Sequence, residues 1–92
     1  MKINRTQLRK AVDALRKMGE RRVLLFGSAA ATPNKARDID LAVEGIPLNR
    51  MLDADATVHD ILRQPTDLVS KEENPAFFSL IARHGKVLYE QG

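Results

Sequence analysis

Apolar positions recur with two different periods along this chain, and the periods predict its elements. Between residues 4 and 18 they recur every three or four positions, which predicts a helix with one apolar face: Leu8, Ala11, Val12, Leu15 and Met18. Asn4 can cap the start of this helix, with Gln7 three residues later, and Gly19 can end it. The segment from Arg22 to Phe26 is short and almost wholly apolar, so it predicts a strand buried on both sides.

The pattern then changes to strict alternation. Ile39, Leu41 and Val43 alternate with Asp38, Asp40 and Ala42, which is the period of two expected of a strand. Gly27 ends the strand before it, and residues 29–37 are predicted as a loop because they contain Pro33 and Asn34. Gly45 and Pro47 end the alternating strand.

The second half of the chain repeats these signals. A helix is predicted over residues 48–63, with an apolar side made of Leu48, Met51, Leu52, Val58, Ile61 and Leu62. Pro65 ends it, Thr66 to Ser70 is a third strand, Pro75 opens a helix, and Gly85 leads into a last strand, "KVLYE". Phe77, Phe78 and Tyr89 are expected in the core. The order α-β-β-α-β-α-β predicts an α+β fold, a small sheet of three or four strands covered by helices, in a single domain over residues 1–92.

The amino-acid composition limits which kinds of functional site and partner the chain can have. The chain has no cysteine, which excludes disulfides, thiolate metal sites and cysteine nucleophiles and fits a reducing cytoplasm. No apolar run approaches the ~20 residues that span a bilayer, so no membrane role is expected. Net charge is +3, and basic residues crowd the first 22 positions. They can form a solvated helix face, or they can meet nucleic acid, nucleotide phosphates or an acidic partner. Aromatic residues are only 4% of the chain, which weighs against base stacking on single strands.

Two aspartates in the alternating segment carry the candidate chemistry. Asp38 and Asp40 leave the same face of a strand, and their charges repel unless a cation lies between them. Mg²⁺ is bound by one or two carboxylates together with substrate phosphates. Asp67 in the third strand can complete a three-aspartate site if that strand neighbours the second, and two metals ~3.5–4 Å apart can clamp a phosphoryl displacement. The plainer alternatives are a polar edge strand for the pair and a turn residue for Asp67.

The turn at Gly27 and Ser28 suits the same chemistry. Glycine lets a phosphate approach the backbone closely, and N–H groups exposed after a strand can bind anions. The Ser28 hydroxyl can donate a hydrogen bond to a phosphate oxygen. Either signal alone is weak, but a strand, a Gly-Ser turn, a short loop and an Asp-x-Asp strand together are specific.

This run resembles the small nucleotidyltransferase domains of the DNA polymerase β superfamily, the minimal nucleotidyltransferases. The resemblance is carried by Gly27, Ser28, Asp38 and Asp40, by "TDLVS" with Asp67, and by the ending "NPAFFSLIARHGKVLYE". It implies a palm-like mixed sheet and a Mg²⁺-dependent transfer of a nucleoside monophosphate, AMP in the favoured version, from a nucleoside triphosphate such as ATP to an acceptor hydroxyl. Two Mg²⁺ ions would be held by Asp38, Asp40 and Asp67, with Asp67 also orienting the acceptor. Gly27, Ser28 and Arg37 would bind the nucleotide.

The resemblance also implies a partner. A chain this short leaves little for an acceptor pocket, so a second protein or a homodimer is expected. Many similar domains pair with a small helical HEPN-type protein as the antitoxin of a toxin–antitoxin couple.

Two departures from the family pattern keep an alternative open. The family usually has Gly-Ser-x-Ala-Arg-Gly, whereas Ala31 and Thr32 stand here in place of the arginine and glycine. Arg37 stands where the residue before the first aspartate is commonly serine, and it or Lys35 can replace the lost charge. The alternative is a catalytically decayed module that acts by binding a partner. Nucleic-acid binding through the basic first helix is a third hypothesis.

Overall fold

The computed structural model describes residues 4–31 and 38–91, which form one four-stranded sheet with helices on both faces. The strands are β1 (Arg22–Phe26), β2 (Ile39–Glu44), β3 (Thr66–Ser70) and β4 (Lys86–Glu90). The helices are α1 (Arg5–Lys17), the single-turn α2 (Ser28–Ala31), α3 (Met51–Leu62) and α4 (Pro75–His84). The predicted α+β class and the order of the long elements are confirmed.

The sheet is mixed, with the strand order β3-β2-β1-β4. β1 runs antiparallel to both β2 and β4, whereas β2 and β3 are parallel. A parallel pair needs a long connection, which α3 supplies between β2 and β3. This topology brings the starts of β2 and β3 to the same end of the sheet as the end of β1.

The two faces of the sheet are covered unequally. On one face α1 and α3 pack against a large buried cluster that includes Leu15, Leu41 and Val58. On the other face α4 alone contributes to a small cluster of Leu24, Ala42, Phe78 and Ile81. The central strands β1 and β2 are therefore buried on both sides, which explains the almost wholly apolar sequence of β1.

The start and the end of α1 follow the sequence signals. The Oδ1 atom of Asn4 accepts hydrogen bonds from the backbone N–H groups of Thr6 at 2.9 Å and Gln7 at 3.1 Å, so two otherwise unpaired N–H groups are satisfied. Gly19 follows the helix with φ +107°, a backbone conformation that side chains disfavour.

The predicted apolar side of the second long helix is partly wrong. Leu48 to Arg50 form a 3₁₀ turn, and the α-helix begins only at Met51. Its buried face is formed by residues four apart: Ala54, Val58 and Leu62. Leu52 is two residues before Ala54 and therefore on the far side of the helix, where it is 85% exposed. Leu48 precedes the helix and is 55% exposed.

Two other expectations need correction. The segment predicted as a loop over residues 29–37 begins with the helical turn α2, and residues 32–37 lie outside the described part of the chain. Phe78 is buried as expected, but Phe77 is 39% exposed and only packs edge-on against Phe26, with ring centroids 5.9 Å apart. Tyr89 is half-buried against the larger core cluster.

The helices are short. The longest, α1, has 13 residues, and within residues 4–31 and 38–91 no helix has both the length and the apolar character needed to cross a membrane.

Candidate functional site

Asp40 and Asp67 lie side by side at one end of the sheet. β2 and β3 are parallel and in register, with Asp40 directly opposite Asp67. Ile39 and Leu41, on either side of Asp40, are completely buried against α1 and α3, so Asp40 faces the side of the sheet on which α4 lies. Directly paired residues on neighbouring strands share a face, so the Asp67 carboxylate is on that side as well. The structure therefore brings together the two carboxylates that the sequence placed on separate strands.

Asp38 lies one residue before β2 and is exposed. The sequence placed it within the strand, but regular pairing starts at Ile39, whose N–H donates to the carbonyl of Pro65 at 2.9 Å. Asp38 is still close enough to act electrostatically on Asp40. The three aspartates thus occupy one region, with Asp38 at its edge.

The pKa of Asp40 is raised above its usual value. Partial burial is the largest cause, and the negative charges of Asp67 and then Asp38 add to it. In the part of the chain that the structure describes, the ion pairs involve other carboxylates and leave these three without a basic partner. Such a cluster of like charges costs folding stability and attracts cations.

Gly27 makes room for the Asp40 carboxylate. Its φ is +68°, in the left-handed region that favours glycine. A Cβ atom built on Gly27 would overlap with Oδ2 of Asp40. The turn that ends β1 therefore touches the carboxylate cluster through a bare backbone.

The remaining predicted nucleotide-binding residues are placed only in part. Ser28 is the first residue of α2 and directly follows Gly27, so its backbone is beside the cluster. Arg37 and Lys35 fall in residues 32–37, outside the described residues. Ala31 is the last residue of α2, and no arginine occupies that position.

Glu44 lies on the same face of β2 as Asp40, but its carboxylate is paired with basic side chains. It lies at the other end of β2, where its carboxylate contacts Arg22 at 2.8 Å, Lys71 at 3.4 Å and Arg21 at 3.7 Å. Partial burial alone would raise the pKa of Glu44, but hydrogen bonds from Arg22 and Lys71 outweigh it and hold the pKa below its usual value. β2 thus has a charge-compensated carboxylate at one end and, at the other, carboxylates with no basic partner among the described residues.

An open pocket adjoins the glycine turn and was not anticipated from the sequence. It has a volume of about 540 Å³ and is lined by Phe26, Gly27, Leu80, His84 and Lys86 among others. This size is within the range of small-molecule sites. Its residues come from the end of β1, from α4 and from the start of β4, and no local signal relates these segments. The antiparallel pairing of β1 with β4, which includes Leu25 opposite Lys86, and the packing of α4 against β1 bring them together.

The donor chemistry of the cluster suits Mg²⁺, but the cluster is not a closed cage. Within residues 4–31 and 38–91, no three histidine, cysteine or acidic side chains are arranged so that they could hold a metal ion by themselves. Mg²⁺ does not need such a cage, because it is commonly bound by one or two carboxylates, waters and the phosphates of the substrate. Asp40 and Asp67, crowded and without a basic partner among the described residues, fit that mode of binding.

Comparison with known protein families identifies the chain's relatives. The family described as "Polymerase beta, Nucleotidyltransferase" matches residues 10–92. This span includes the glycine turn, all three aspartates and all four strands. A comparison with curated protein sequences finds no match.

Solved structures with the same fold come from toxin–antitoxin systems. A crystal structure of the toxin–antitoxin MntA-HepT superposes with a TM-score of 0.71 at 19% identity, covering 96% of this chain and 74% of that one. A toxin–antitoxin crystallised with AMP-PNP gives a TM-score of 0.74 at 22% identity over 97% of this chain and 75% of that one. A mutant of the toxin–antitoxin MntA-HepT, in which two aspartates two positions apart are replaced by glutamate, gives a TM-score of 0.74 at 19% identity, covering 90% of this chain and 72% of that one. At these identities the likeness establishes the fold.

Proposed function

Since the chain belongs to the polymerase β nucleotidyltransferase family, we propose that it transfers a nucleoside monophosphate, AMP by preference, from a nucleoside triphosphate to an acceptor hydroxyl. The observation that carries the proposal is the alignment of Asp40 with Asp67 beside the bare backbone of Gly27. The AMP-PNP in a structure of the same fold supports a nucleoside triphosphate as the substrate. The two aspartates replaced in the solved MntA-HepT mutant have the same spacing as Asp38 and Asp40.

Asp38, Asp40 and Asp67 would hold Mg²⁺. When bound, the metal would supply positive charge that offsets the charge developing on the transferred phosphoryl group and on the leaving pyrophosphate. The pKa of Asp40 is raised first by partial burial and then by the negative charges of Asp67 and Asp38, and a bound cation would relieve the repulsion among these charges. Asp67, the more exposed of the strand pair, is the side chain best placed to orient the incoming acceptor.

The triphosphate would lie against the backbone of Gly27 and Ser28, with Arg37 adding a positive charge. The pocket next to Gly27 has apolar walls from Phe26 and Leu80 and a cationic side chain in Lys86. It can therefore receive the organic part of a nucleotide whose phosphates lie at the turn.

The acceptor belongs to a second protein. We assign the chain to the antitoxin side of a toxin–antitoxin pair with a small helical partner of the HEPN type. The support is that the solved structures of this fold include MntA-HepT complexes. The exposed position of Asp67 agrees with an acceptor that arrives from outside the domain.

Mg²⁺–ATP binding tests the site. Isothermal titration of the wild-type protein with ATP should show binding that requires Mg²⁺, and the Asp38→Asn/Asp40→Asn double variant should abolish it. Asp55→Asn/Asp60→Asn is the matched control, because it removes the same charge from exposed positions on α3. Equal binding by both double variants would contradict the proposed site.

Transfer itself is tested by mass spectrometry. The protein is co-expressed with the product of the adjacent gene, and that product is examined for the added mass of one adenylyl group. The mass should appear with the wild-type chain and be absent with Asp38→Asn/Asp40→Asn. No added nucleotide mass on any such partner would refute the transfer reaction.

A second candidate function is partner binding without transfer. Ala31 ends α2 at the position where the family usually has arginine, which removes a charge-assisted contact to the triphosphate. In that case the partner would bind equally well to the wild-type protein and to Asp38→Asn/Asp40→Asn, and its mass would be unchanged.

A further inference from the structure

A groove between α1 and β4 lies on the face of the sheet opposite Asp40 and Asp67. Its floor is apolar and is formed by Leu8 and Val12 of α1 and by Leu88 and Tyr89 of β4. Leu88 and Tyr89 pack toward the cluster under α1 and α3, whereas Asp40 faces the α4 side. The groove has a volume of about 390 Å³. It is therefore distinct from the candidate nucleotide site.

The rim of the groove is mainly cationic. Arg5, Arg9 and Arg16 line it, against one acidic residue, Asp13. The Arg16 guanidinium stacks over the ring of Tyr89 at 4.3 Å from its centroid and lies 3.7 Å from the Asp13 carboxylate. Arg5 and Arg9 form no ion pair with another described residue. An apolar floor beside positive charges complements a segment that is apolar on one side and acidic on the other.

The geometry points to this groove as the docking site of an acidic amphipathic helix of a partner protein. The inference rests on the proposed function only for the existence of a protein partner. It adds where that partner is held while the carboxylates remain free on the opposite face.

Three arguments favour a helix of a different protein over a further β-strand, a second copy of this chain or nucleic acid. β4 is an edge strand, but its register with β1 shifts between Val23 and Leu24, and such a bulge disfavours addition of a further strand. A second copy of this chain would bring a second set of the same arginines to the groove. Nucleic acid would use the arginines but would leave the apolar floor of Leu8, Val12 and Leu88 without a complement.

Peptide binding tests the inference with defined probes. The first probe is a fluorescein-labelled 18-residue peptide with leucines along one helical face and glutamates elsewhere. The second is a scrambled peptide of the same composition, and the third is a labelled DNA duplex. Fluorescence anisotropy measures binding to the wild-type protein, to Arg5→Glu/Arg9→Glu and to Lys10→Glu/Arg50→Glu. The last variant is the matched control, since it reverses two exposed charges that do not line the groove.

The expected binding depends both on the arginines of the groove and on the amphipathic pattern of the peptide. The amphipathic peptide should bind the wild-type protein, and Arg5→Glu/Arg9→Glu should weaken that binding about tenfold or more, as loss of two charge-assisted contacts implies. The control variant should retain most of the affinity, and the scrambled peptide should bind the wild-type protein more weakly. Far-UV circular dichroism and Mg²⁺–ATP titration should show both variants folded and unchanged in nucleotide binding.

Several results would overturn the docking site. One is an equal loss of peptide affinity in the two charge-reversal variants, and another is equal affinity for the scrambled and the amphipathic peptide. A third is binding of the DNA duplex that is tighter than that of the peptide and steeply salt-dependent, and a fourth is no binding of the amphipathic peptide. If any of these occurs while Mg²⁺–ATP still binds, the proposed nucleotide site stands and the groove inference fails. If the peptide result holds and Mg²⁺–ATP does not bind, the nucleotide site fails alone.

Discussion

The carboxylate of Asp40 occupies the space in which a side chain on Gly27 would begin. The turn after β1 is therefore in direct contact with Asp40, the second residue of β2, although the two are twelve residues or more apart in sequence. Phe26, the residue before the turn, is also the antiparallel partner of Asp40. The phosphate-binding element and the metal-binding element of the proposed site are thus one packed unit.

Gly27→Ala should damage this unit beyond its effect on stability. A residue with a Cβ at φ +68° costs about 1–2 kcal/mol of unfolding free energy, and the Cβ would also displace Oδ2 of Asp40. We expect Mg²⁺–ATP affinity, measured by isothermal titration, to fall about tenfold or more. Gly19→Ala is the control, because Gly19 also has positive φ, at +107°, while a Cβ there makes only ordinary contact with the carbonyl oxygen of Gly45. If both variants lose equal affinity, the contact between Gly27 and Asp40 is not what matters.

Asp67→Asn should stabilise the protein without metal and remove its response to Mg²⁺. Asp40 has a raised pKa, so the charge repulsion that destabilises the fold grows as pH rises through that pKa. Removing one of two like charges on directly opposed residues should add about 0.2–1 kcal/mol of stability. Thermal unfolding followed by circular dichroism should show a higher Tm for the variant at pH 8. Millimolar Mg²⁺ should raise the Tm of the wild-type protein and of Asp60→Asn, but not that of Asp67→Asn; a response retained by Asp67→Asn would argue against its place in the metal site.

Glu44→Gln should have the opposite profile. Glu44 receives a 2.8 Å hydrogen bond from Arg22, and a charged hydrogen bond of this kind contributes about 1.5–3 kcal/mol of unfolding free energy, part of which is lost when glutamine keeps an acceptor oxygen but not the charge. The pKa of Glu44 is lowered in the fold, so its contribution to stability is present at neutral pH and is lost as pH falls through that pKa. Urea unfolding should show the loss, with the Mg²⁺–ATP dissociation constant unchanged. Glu90→Gln, which removes an exposed carboxylate 3.9 Å from Arg22, should have little effect; a large effect there would mean that the network is not centred on Glu44.

Glu20 should make stability fall as pH rises through the mildly acidic range. Glu20 is 4% exposed, and neither carboxylate oxygen has a hydrogen-bond partner among the described residues. Burial raises its pKa from 4.5 to about 7, while Arg16 acts weakly in the other direction. Well below pH 4.5 Glu20 is protonated in both states, and between pH 4.5 and 7 the unfolded chain loses the proton first, so the free energy of unfolding falls by about 3 kcal/mol.

Urea unfolding of the wild-type protein and of Glu20→Gln, measured at several pH values from 5 to 8, tests this effect. The curve of unfolding free energy against pH should be flatter for Glu20→Gln, and the variant should be the more stable one at pH 8. Glu73→Gln removes an exposed carboxylate and should follow the wild-type curve. Parallel curves for the wild-type protein and Glu20→Gln would show that Glu20 is ionised normally in the fold.

Local signals in the sequence were enough to predict the strands and the beginnings and ends of most helices. The alternation around Asp40 and the Asn4 cap depend on neighbouring residues alone, and the structure confirms both. The parallel pairing that sets Asp67 opposite Asp40 depends on how α3 crosses the sheet, so the sequence could state it only as a condition. The family resemblance is what assigns a metal-binding role to Asp40 and Asp67, and this role stays a prediction.

Other features of the structure could not be predicted from short stretches of the sequence. A helical period identifies apolar residues but not which of them a neighbour covers, so the exposure of Leu52 was missed. The 3₁₀ turn before Met51 has no strong sequence signal and moves Leu48 off the helix face. Glu20 follows a glycine in a basic segment, which is typical of a surface position, yet between α1 and β1 it is buried.

The unequal covering of the two sheet faces has a consequence for chemistry at Asp40 and Asp67. α4 shields the middle of their face and leaves Asp67 open to solvent, so an activated phosphoryl group held there would be reachable by water. Attack by water and attack by an acceptor hydroxyl would then compete. In the proposed reaction an acceptor segment of the partner, whose anchoring helix would lie on the opposite face, would itself form the missing wall at Asp40 and Asp67. Its arrival would decide between wasteful hydrolysis and productive modification.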